Sequence, residues 1–305
     1  MQLPFSERPH TQYRGRFAPS PSGLLHFGSL VTALASYLDA RANDGVWLVR
    51  IEDIDPPREQ AGAADEILRT LEDYGMFWDE KVLYQSDQSA LYEDVLQYFE
   101  QHQLSYRCEC TRAMIKASGG VYAGTCKHKQ LKNTDTSIRL INQFGCAHYS
   151  DLIQGEVTCD VKLAQEDFII KRKDGLYAYQ LAVVIDDIYQ GITHIVRGCD
   201  LLEPTARQLT LYKTYNCQPP VYAHVPLVIT HDGFKLSKQN KAPAIDRSAP
   251  QQSLYAALSF LGQQPPKILV KQTVAEILSW AINHWSLEKI PQTAEIALDL
   301  SGNLD

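Results

Sequence analysis

The sequence contains no run of 18 apolar residues, and its opening, Met1-Gln-Leu-Pro-Phe-Ser-Glu-Arg, has no apolar stretch of the kind that heads a secretory signal. These absences argue against a membrane span and against export, so the expectation is a soluble, cytoplasmic protein with no membrane partner. Cysteine is sparse and odd in number, seven in 305 residues, which fits free thiols in a reducing compartment better than a disulfide framework. No internal repeat and no low-complexity tract is present, and the composition is neither collagenous nor that of a disordered chain. Positive charge is also in deficit. The 29 Lys and Arg face 36 Asp and Glu, a net of -7, which argues against coating nucleic acid through bulk charge.

That deficit is local. The segment Glu52 to Glu100 holds fourteen acidic and three basic residues, a net of -11, so the rest of the chain nets +4. Ser105 to Asp135 carries six Lys and Arg against two Asp and Glu. A polyanion can still be held outside the acidic stretch.

What is present is an ordinary globular chain, 45% apolar and long enough for two domains with a small insert. Tyr13 to Ala18 reads as a strand ending in the breaker-rich Pro19-Ser-Pro-Ser-Gly23. A helix is expected over about Gly28 to Asn43, with Leu30, Val31, Leu34, Leu38 and Ala42 on its apolar face. Val46 to Ile51 is the next strand. A strand, helix, strand unit implies a parallel sheet with a right-handed crossover.

Helices follow at about Ala63–Tyr74 and Ser89–His102, then a Cys-, Gly-, Thr- and Lys-rich insert from Arg107 to about Asp167. Phe168 to Arg172 and Tyr177 to Ile185, joined at Asp174-Gly175, read as a hairpin. Ile192 to Val196 is a further apolar run, Pro204 to Tyr215 a helix and Val225 to Ile229 a last strand. The remainder reads as helical, notably Gln252–Leu261 and Thr273–Ile282.

Two distant segments carry the chemistry. Arg16-Phe-Ala-Pro-Ser-Pro-Ser-Gly-Leu-Leu-His26-Phe-Gly28-Ser29 lies where the first strand gives way to a helix. Unpaired amides at a helix N-terminus form an anion site, Gly28 allows close approach of a nucleotide, and His26 can donate to a phosphate. Lys235-Leu-Ser-Lys238, on the loop after the last strand, offers two cations. Singly, each has an ordinary structural explanation. Together and in this order they supply the positioning and positive charge that phosphoryl or nucleotidyl transfer needs.

These segments resemble the HIGH and KMSKS signatures of class I aminoacyl-tRNA synthetases. Arg16-Phe-Ala-Pro-Ser-Pro-Ser-Gly, with Arg50-Ile-Glu52-Asp-Ile-Asp55 downstream, is similar to the glutamyl branch of that family. Ser29 stands in place of the second His of HIGH, and Gln239 in place of the last Ser of KMSKS. The resemblance implies an α/β fold with a Rossmann-like parallel sheet. It implies catalytic roles for His26, Gly28, Lys235 and Lys238, with Ser29 beside ATP. It also implies a glutamate pocket of Arg16, Phe17, Ala18, Pro19, Ser20, Glu52, Tyr179 and Arg197, Glu52 facing the amino group. An Arg fork suits a carboxylate.

Only 67 residues follow Lys238, whereas ordinary glutamyl-tRNA synthetases continue into an anticodon-binding domain. The chain therefore resembles the short paralogues of the family. That implies ATP-dependent, tRNA-independent activation of L-glutamate, Mg2+ accompanying ATP, and transfer to the queuosine base at the wobble position of tRNA(Asp). A truncated classical glutamyl enzyme, another nucleotidyl-transfer ligase and a non-enzymatic RNA-binding module are the alternatives. The expected organisation is a first catalytic half at 1–104, an insert at 105–167, a second half at 168–238 and a helical stem-contact-like region at 239–305, in a monomer.

Cys108-Glu-Cys110 and Cys126 lie in the basic insert. Three thiolates can bind Zn2+, with Tyr122, His128 or water as fourth ligand, and buried thiols are an equal reading of the spacing. The resemblance implies a structural zinc site of Cys108, Cys110, Tyr122 and Cys126. The other cysteines read as ordinary buried thiols.

Overall fold

The computed structural model describes residues 12–132, 135–230 and 243–298. Its centre is a parallel sheet. β1 (Arg14–Phe17) pairs with β2 (Val46–Ile51), Arg14 opposite Val46, and β2 pairs with the short β3 (Leu83–Tyr84). On the other side of β1 lies β9 (His194–Gly198), where the Thr193 N–H donates to the Arg14 carbonyl at 3.0 Å. β10 (Val221–Val225) pairs parallel with β9. The order β3-β2-β1-β9-β10 puts a topological switch point between β1 and β9, and ligands of open α/β sheets gather above the strand ends there.

α1 (Phe27–Ala42) crosses over from β1 to β2. It is buried from Leu30 to Ala40 apart from Thr32, because the sheet covers one side and α8 (Pro250–Phe260) and α9 (Val274–His284) cover the other. The expected face is buried except for Ala42, which lies exposed at the last turn. Phe27 meets Phe260 edge to face at 6.2 Å. The turn after α8 is tight. Gly262 has φ +71°, and a Cβ there would sit 2.1 Å from the Lys289 carbonyl oxygen, so only glycine fits.

α2 (Ala63–Asp73) and α3 (Ser89–Gln101) follow β2 and β3. A three-stranded antiparallel sheet then forms from β4 (Ser105–Cys108), β5 (Ser137–Leu140) and β8 (Ile169–Lys171), in the order β4-β5-β8. Between these strands come α4 (Arg112–Ala117), the hairpin β6 (His148–Asp151) and β7 (Gly155–Thr158), and α5 (Val161–Gln165). A second core joins α3, β5 and β8 to α6 (Tyr179–Gln190) and α7 (Leu202–Tyr215) through Tyr92, Phe99, Phe168, Val183 and Tyr212. No helix among the described residues is long and apolar enough to cross a membrane.

Three expectations are corrected. Tyr177 to Ile185 is not the second strand of a hairpin; the turn at Asp174-Gly175 closes on a bridge between Lys171 and Tyr177 with backbone hydrogen bonds from Arg172 to Leu176 and from Ala178 to Ile170, and α6 begins at Tyr179. The run Leu181–Ile188 is buried all round, so it lacks the apolar–polar periodicity that marks a surface helix, and its β-branched residues mimic a strand. Gly191, at φ 64°, caps the helix by donating to the Asp187 and Ile188 carbonyls. Val225 to Ile229 is two strands rather than one, since Pro226 separates β10 from β11 (Leu227–Thr230). The C-terminal region is not wholly helical: β12 (Glu295–Leu298) pairs parallel with β11.

Candidate active site

A cleft of about 530 Å³ opens where β1 and β9 end. Arg16 to Ser20 form one wall as β1 runs into the proline-rich turn, which the Glu52 N–H ties to β2 through the Pro19 carbonyl at 3.0 Å. His26, Gly28 and Ser29 at the start of α1, Glu52 at the end of β2, Tyr179 opening α6 and Arg197 on β9 complete the lining. Apart from the cysteine group, every described residue expected to act on glutamate or ATP is in this one cleft. Lys235, Lys238 and Gln239 lie outside the described residues. The segment that bears them is bounded by β11, whose Leu227 and Val228 also line the cleft, and by Ala244, which bridges antiparallel to His26. A larger hollow of about 660 Å³ lies between α3 and the insert, with none of the cleft residues in it. Its lysines are partnered, Lys171 with Glu93 at 2.7 Å and Lys127 with Asp167 at 3.3 Å.

His26 is the N-cap of α1: the Ser29 N–H donates to its Nδ1 at 3.3 Å. With Nδ1 accepting, a neutral ring carries its proton on Nε2, which lies 3.0 Å from Ser29 Oγ. Ser29, the departure from the HIGH pattern, is thus the residue that fixes the ring. The sixteen-residue helix behind it points its positive end into the cleft.

Beneath the cleft is a buried charge network. Asp187 on α6 accepts from Arg16 Nε at 3.1 Å and Nη2 at 3.3 Å, and from Arg50 Nη2 at 2.7 Å. Burial alone would raise its pKa, but the two guanidiniums hold it below the usual carboxylate range. Asp186 accepts from Gln85 at 2.6 Å and from the Tyr92 hydroxyl, and burial pushes its pKa up to about 6. Glu52 is different. Its Oε1 is buried without a hydrogen-bond partner, Arg50 Nη2 being 3.9 Å away, and burial lifts its pKa to about 7 despite Arg50 and Arg16.

Arg197 is buried and held on two sides. Its Nε donates to His224 Nε2 at 3.0 Å and its Nη2 to Thr205 Oγ1 at 2.6 Å, while Nη1 is buried with no partner. His224 Nδ1 in turn lies 2.6 Å from Asp151 Oδ2. An unmet carboxylate oxygen on one side of the cleft and an unmet guanidinium N–H on another are complementary to a zwitterion that bears a second carboxylate.

The sulfurs of Cys108, Cys110 and Cys126 lie within 4.8 Å of one another, and Tyr122 Oη is 3.5 Å from Cys108 Sγ. His128 is exposed and outside this group. Three soft donors with a phenol beside them fit a tetrahedral Zn2+. Cys146, Cys159, Cys199 and Cys217 are buried and form no disulfide among the described residues.

Asp186, Asp187, Asp151 and His224 escaped sequence reasoning, and Arg50 entered it only within a motif, without a role. One signal was available: Asp186-Asp187 interrupts an otherwise apolar run, and charges placed so are buried and need partners.

Residues 12–267 match the family described as tRNA synthetases class I (E and Q), catalytic domain. The glutamyl-Q tRNA(Asp) synthetase of Colwellia psychrerythraea is 58% identical, the match covering 98% of each chain. That of Photobacterium profundum is 52% identical over 94% of this chain and 93% of its own. Among solved structures, glutamate-tRNA synthetase from Elizabethkingia anophelis superposes with a TM-score of 0.78 at 24% identity, covering 95% of this chain and 69% of that one, a likeness of fold.

Proposed function

The chain belongs to the class I tRNA synthetases of the E and Q type, and from that premise we propose that it activates L-glutamate with ATP, without tRNA, and transfers it to the queuosine base at the wobble position of tRNA(Asp). One observation carries the substrate assignment. Within a single cleft, Glu52 presents an unmet buried oxygen and Arg197 an unmet buried N–H, beside the amides of a helix N-terminus. Glu52 takes the α-ammonium, Arg197 and Tyr179 the side-chain carboxylate, and Arg16 to Ser20 close the pocket around both.

In the first step an α-carboxylate oxygen of glutamate attacks the α-phosphorus of ATP. The bond to the bridging oxygen breaks, and pyrophosphate leaves with the electron pair. The N-terminus of α1, with Gly28 and Ser29, holds the phosphates, and His26, its Nδ1 held by the Ser29 N–H, shares its Nε2–H between Ser29 Oγ and the phosphates as charge develops on them. Lys235 and Lys238, with Mg2+ carried by ATP, offset charge on the leaving group. In the second step a cyclopentene hydroxyl of queuosine attacks the acyl carbon, the bond from that carbon to the phosphate oxygen breaks, and AMP leaves with the electron pair, a phosphate oxygen taking the hydroxyl proton. Cys108, Cys110, Tyr122 and Cys126 hold a structural Zn2+ that ties β4 to the loop bearing Cys126 and takes part in no step. The protein works in the cytoplasm as a monomer.

The test is a paired assay. Glutamate-dependent ATP–pyrophosphate exchange is measured without tRNA, then glutamate transfer to tRNA(Asp) with and without queuosine. Exchange without tRNA and transfer only to the queuosine-bearing form are expected. Absence of exchange refutes the proposed activity, and transfer to the 3′ end of unmodified tRNA replaces it with that of a truncated classical synthetase.

A further inference from the structure

Arg197 has to present one N–H to the cleft, yet a guanidinium on a flexible stem can turn any of its five donors outward. The structure removes that freedom from behind. His224 stands directly opposite Arg197 in the parallel register of β10 and β9, and its Nε2 accepts from Arg197 Nε at 3.0 Å. Arginine only donates, so this nitrogen is unprotonated and the ring proton sits on Nδ1, aimed at Asp151 Oδ2 at 2.6 Å. Asp151 is fixed in its turn by the backbone N–H groups of Ile153, Gln154 and His224, which donate to Oδ1. His224 and both carboxylate oxygens of Asp151 are sealed from solvent, and His224 does not line the cleft.

Asp151 lies at the end of β6, in the hairpin beyond β5, whereas Arg197 belongs to the central sheet. A buried polar chain of this length is destabilising unless every member is satisfied. Here every member is, except Arg197 Nη1, a buried and unpartnered atom of a side chain that lines the cleft. Thr205 holds Nη2 at 2.6 Å and the Leu201 carbonyl accepts from the same nitrogen at 3.5 Å, so the partners of Nε and Nη2 leave Nη1 for ligand.

We infer that His224, locked in its Nδ1–H tautomer by Asp151, is a positioning residue that sets the orientation of Arg197 and thereby the selectivity for a substrate with a side-chain carboxylate. His224 touches no reacting atom. The inference rests on the assignment of the cleft to glutamate.

The experiment separates the two. Exchange kinetics are compared for the parent, Arg197→Lys, His224→Asn and His224→Gln. An asparagine amide reaches as far as Nδ1 and keeps the bond to Asp151 but leaves Arg197 Nε without an acceptor. A glutamine amide reaches as far as Nε2 and restores that acceptor. His224→Asn is expected to raise the KM for glutamate about tenfold, with kcat and the KM for ATP within about twofold of the parent. His224→Gln is expected to stay within about threefold of the parent in all three. A glutamate KM unchanged in His224→Asn, or equal losses in kcat and both KM values, overturns the inference while leaving the pocket assignment intact. An unchanged glutamate KM in Arg197→Lys overturns the pocket assignment itself, and the inference with it. Should His224→Asn fail to fold, His224→Gln decides: a near-parental glutamate KM upholds the inference, and a rise as large as that of Arg197→Lys overturns it.

Discussion

Replacing Glu52 with glutamine sets the stability of the fold against its use. The carboxyl group is buried, Oε1 has no hydrogen-bond partner, and the nearest cation is 3.9 Å away. Burial lifts its pKa from 4.5 to about 7, so the folded chain holds this proton longer than the unfolded chain does. The contribution to stability is therefore whole below about pH 4.5 and is lost as pH rises through about 7. Once the group is ionised in both states, the folded state is worse off by about 3 kcal/mol. Glutamine does not titrate. Glu52→Gln should therefore match the parent near pH 4, and gain about 1 kcal/mol at pH 5.5 and about 3 kcal/mol at pH 8. For a chain this size the last figure is a rise of about 5 °C in Tm. Thermal melts of both proteins across that pH range read the difference. On the proposed role of Glu52 the same variant keeps a carbonyl acceptor but loses the charge that pairs with the α-ammonium, so its glutamate KM in the exchange assay should rise at least about tenfold. A Tm difference that is flat with pH, or reversed in sign at pH 8, refutes the reasoning.

Two further outcomes rest on geometry alone. Cys108→Ser should lower the zinc content found by elemental analysis and the melting temperature together, whereas unchanged zinc would show that the thiol cluster is not the metal site. Gly262→Ala brings a Cβ against the Lys289 carbonyl at a positive φ, and should cost about 3 kcal/mol in a urea unfolding midpoint; parental stability would show that the segment at Lys289 backs away without loss.

The parts of the fold legible in the sequence are those in which a local pattern reports local burial. β2 and the crossover helix α1 came from alternation between an apolar run, helical spacing and a Gly stop, and the turn Pro19 to Gly23 located the strand end where the cleft forms. α6 was hidden because a helix buried on every side has no polar face to give it away. β12 was hidden because its partner is β11, 68 positions earlier, and four residues carry no period of their own. The candidate site divides in the same way. Residues that face the cleft sit in short contiguous motifs, so His26, Arg16 and Glu52 could be named. Those that hold them do not: Asp187 reaches Arg16 across 171 positions, and Asp151 reaches His224 across 73. Such pairs are fixed by topology, and no spacing rule encodes them.

The region matched to the family stops at residue 267, but the hydrophobic interior does not. Ile277, Leu278 and Ala281 of α9 share one core with Leu30 and Leu34 of α1, Trp285 donates to Asp39 at 2.9 Å, and β12 flanks the strand whose Leu227 and Val228 wall the cleft. A boundary drawn by resemblance and one drawn by packing therefore disagree. A protein cut at the first would keep every motif of the cleft and lose the support of its roof, so the catalytic portion is not severable from α9 and β12.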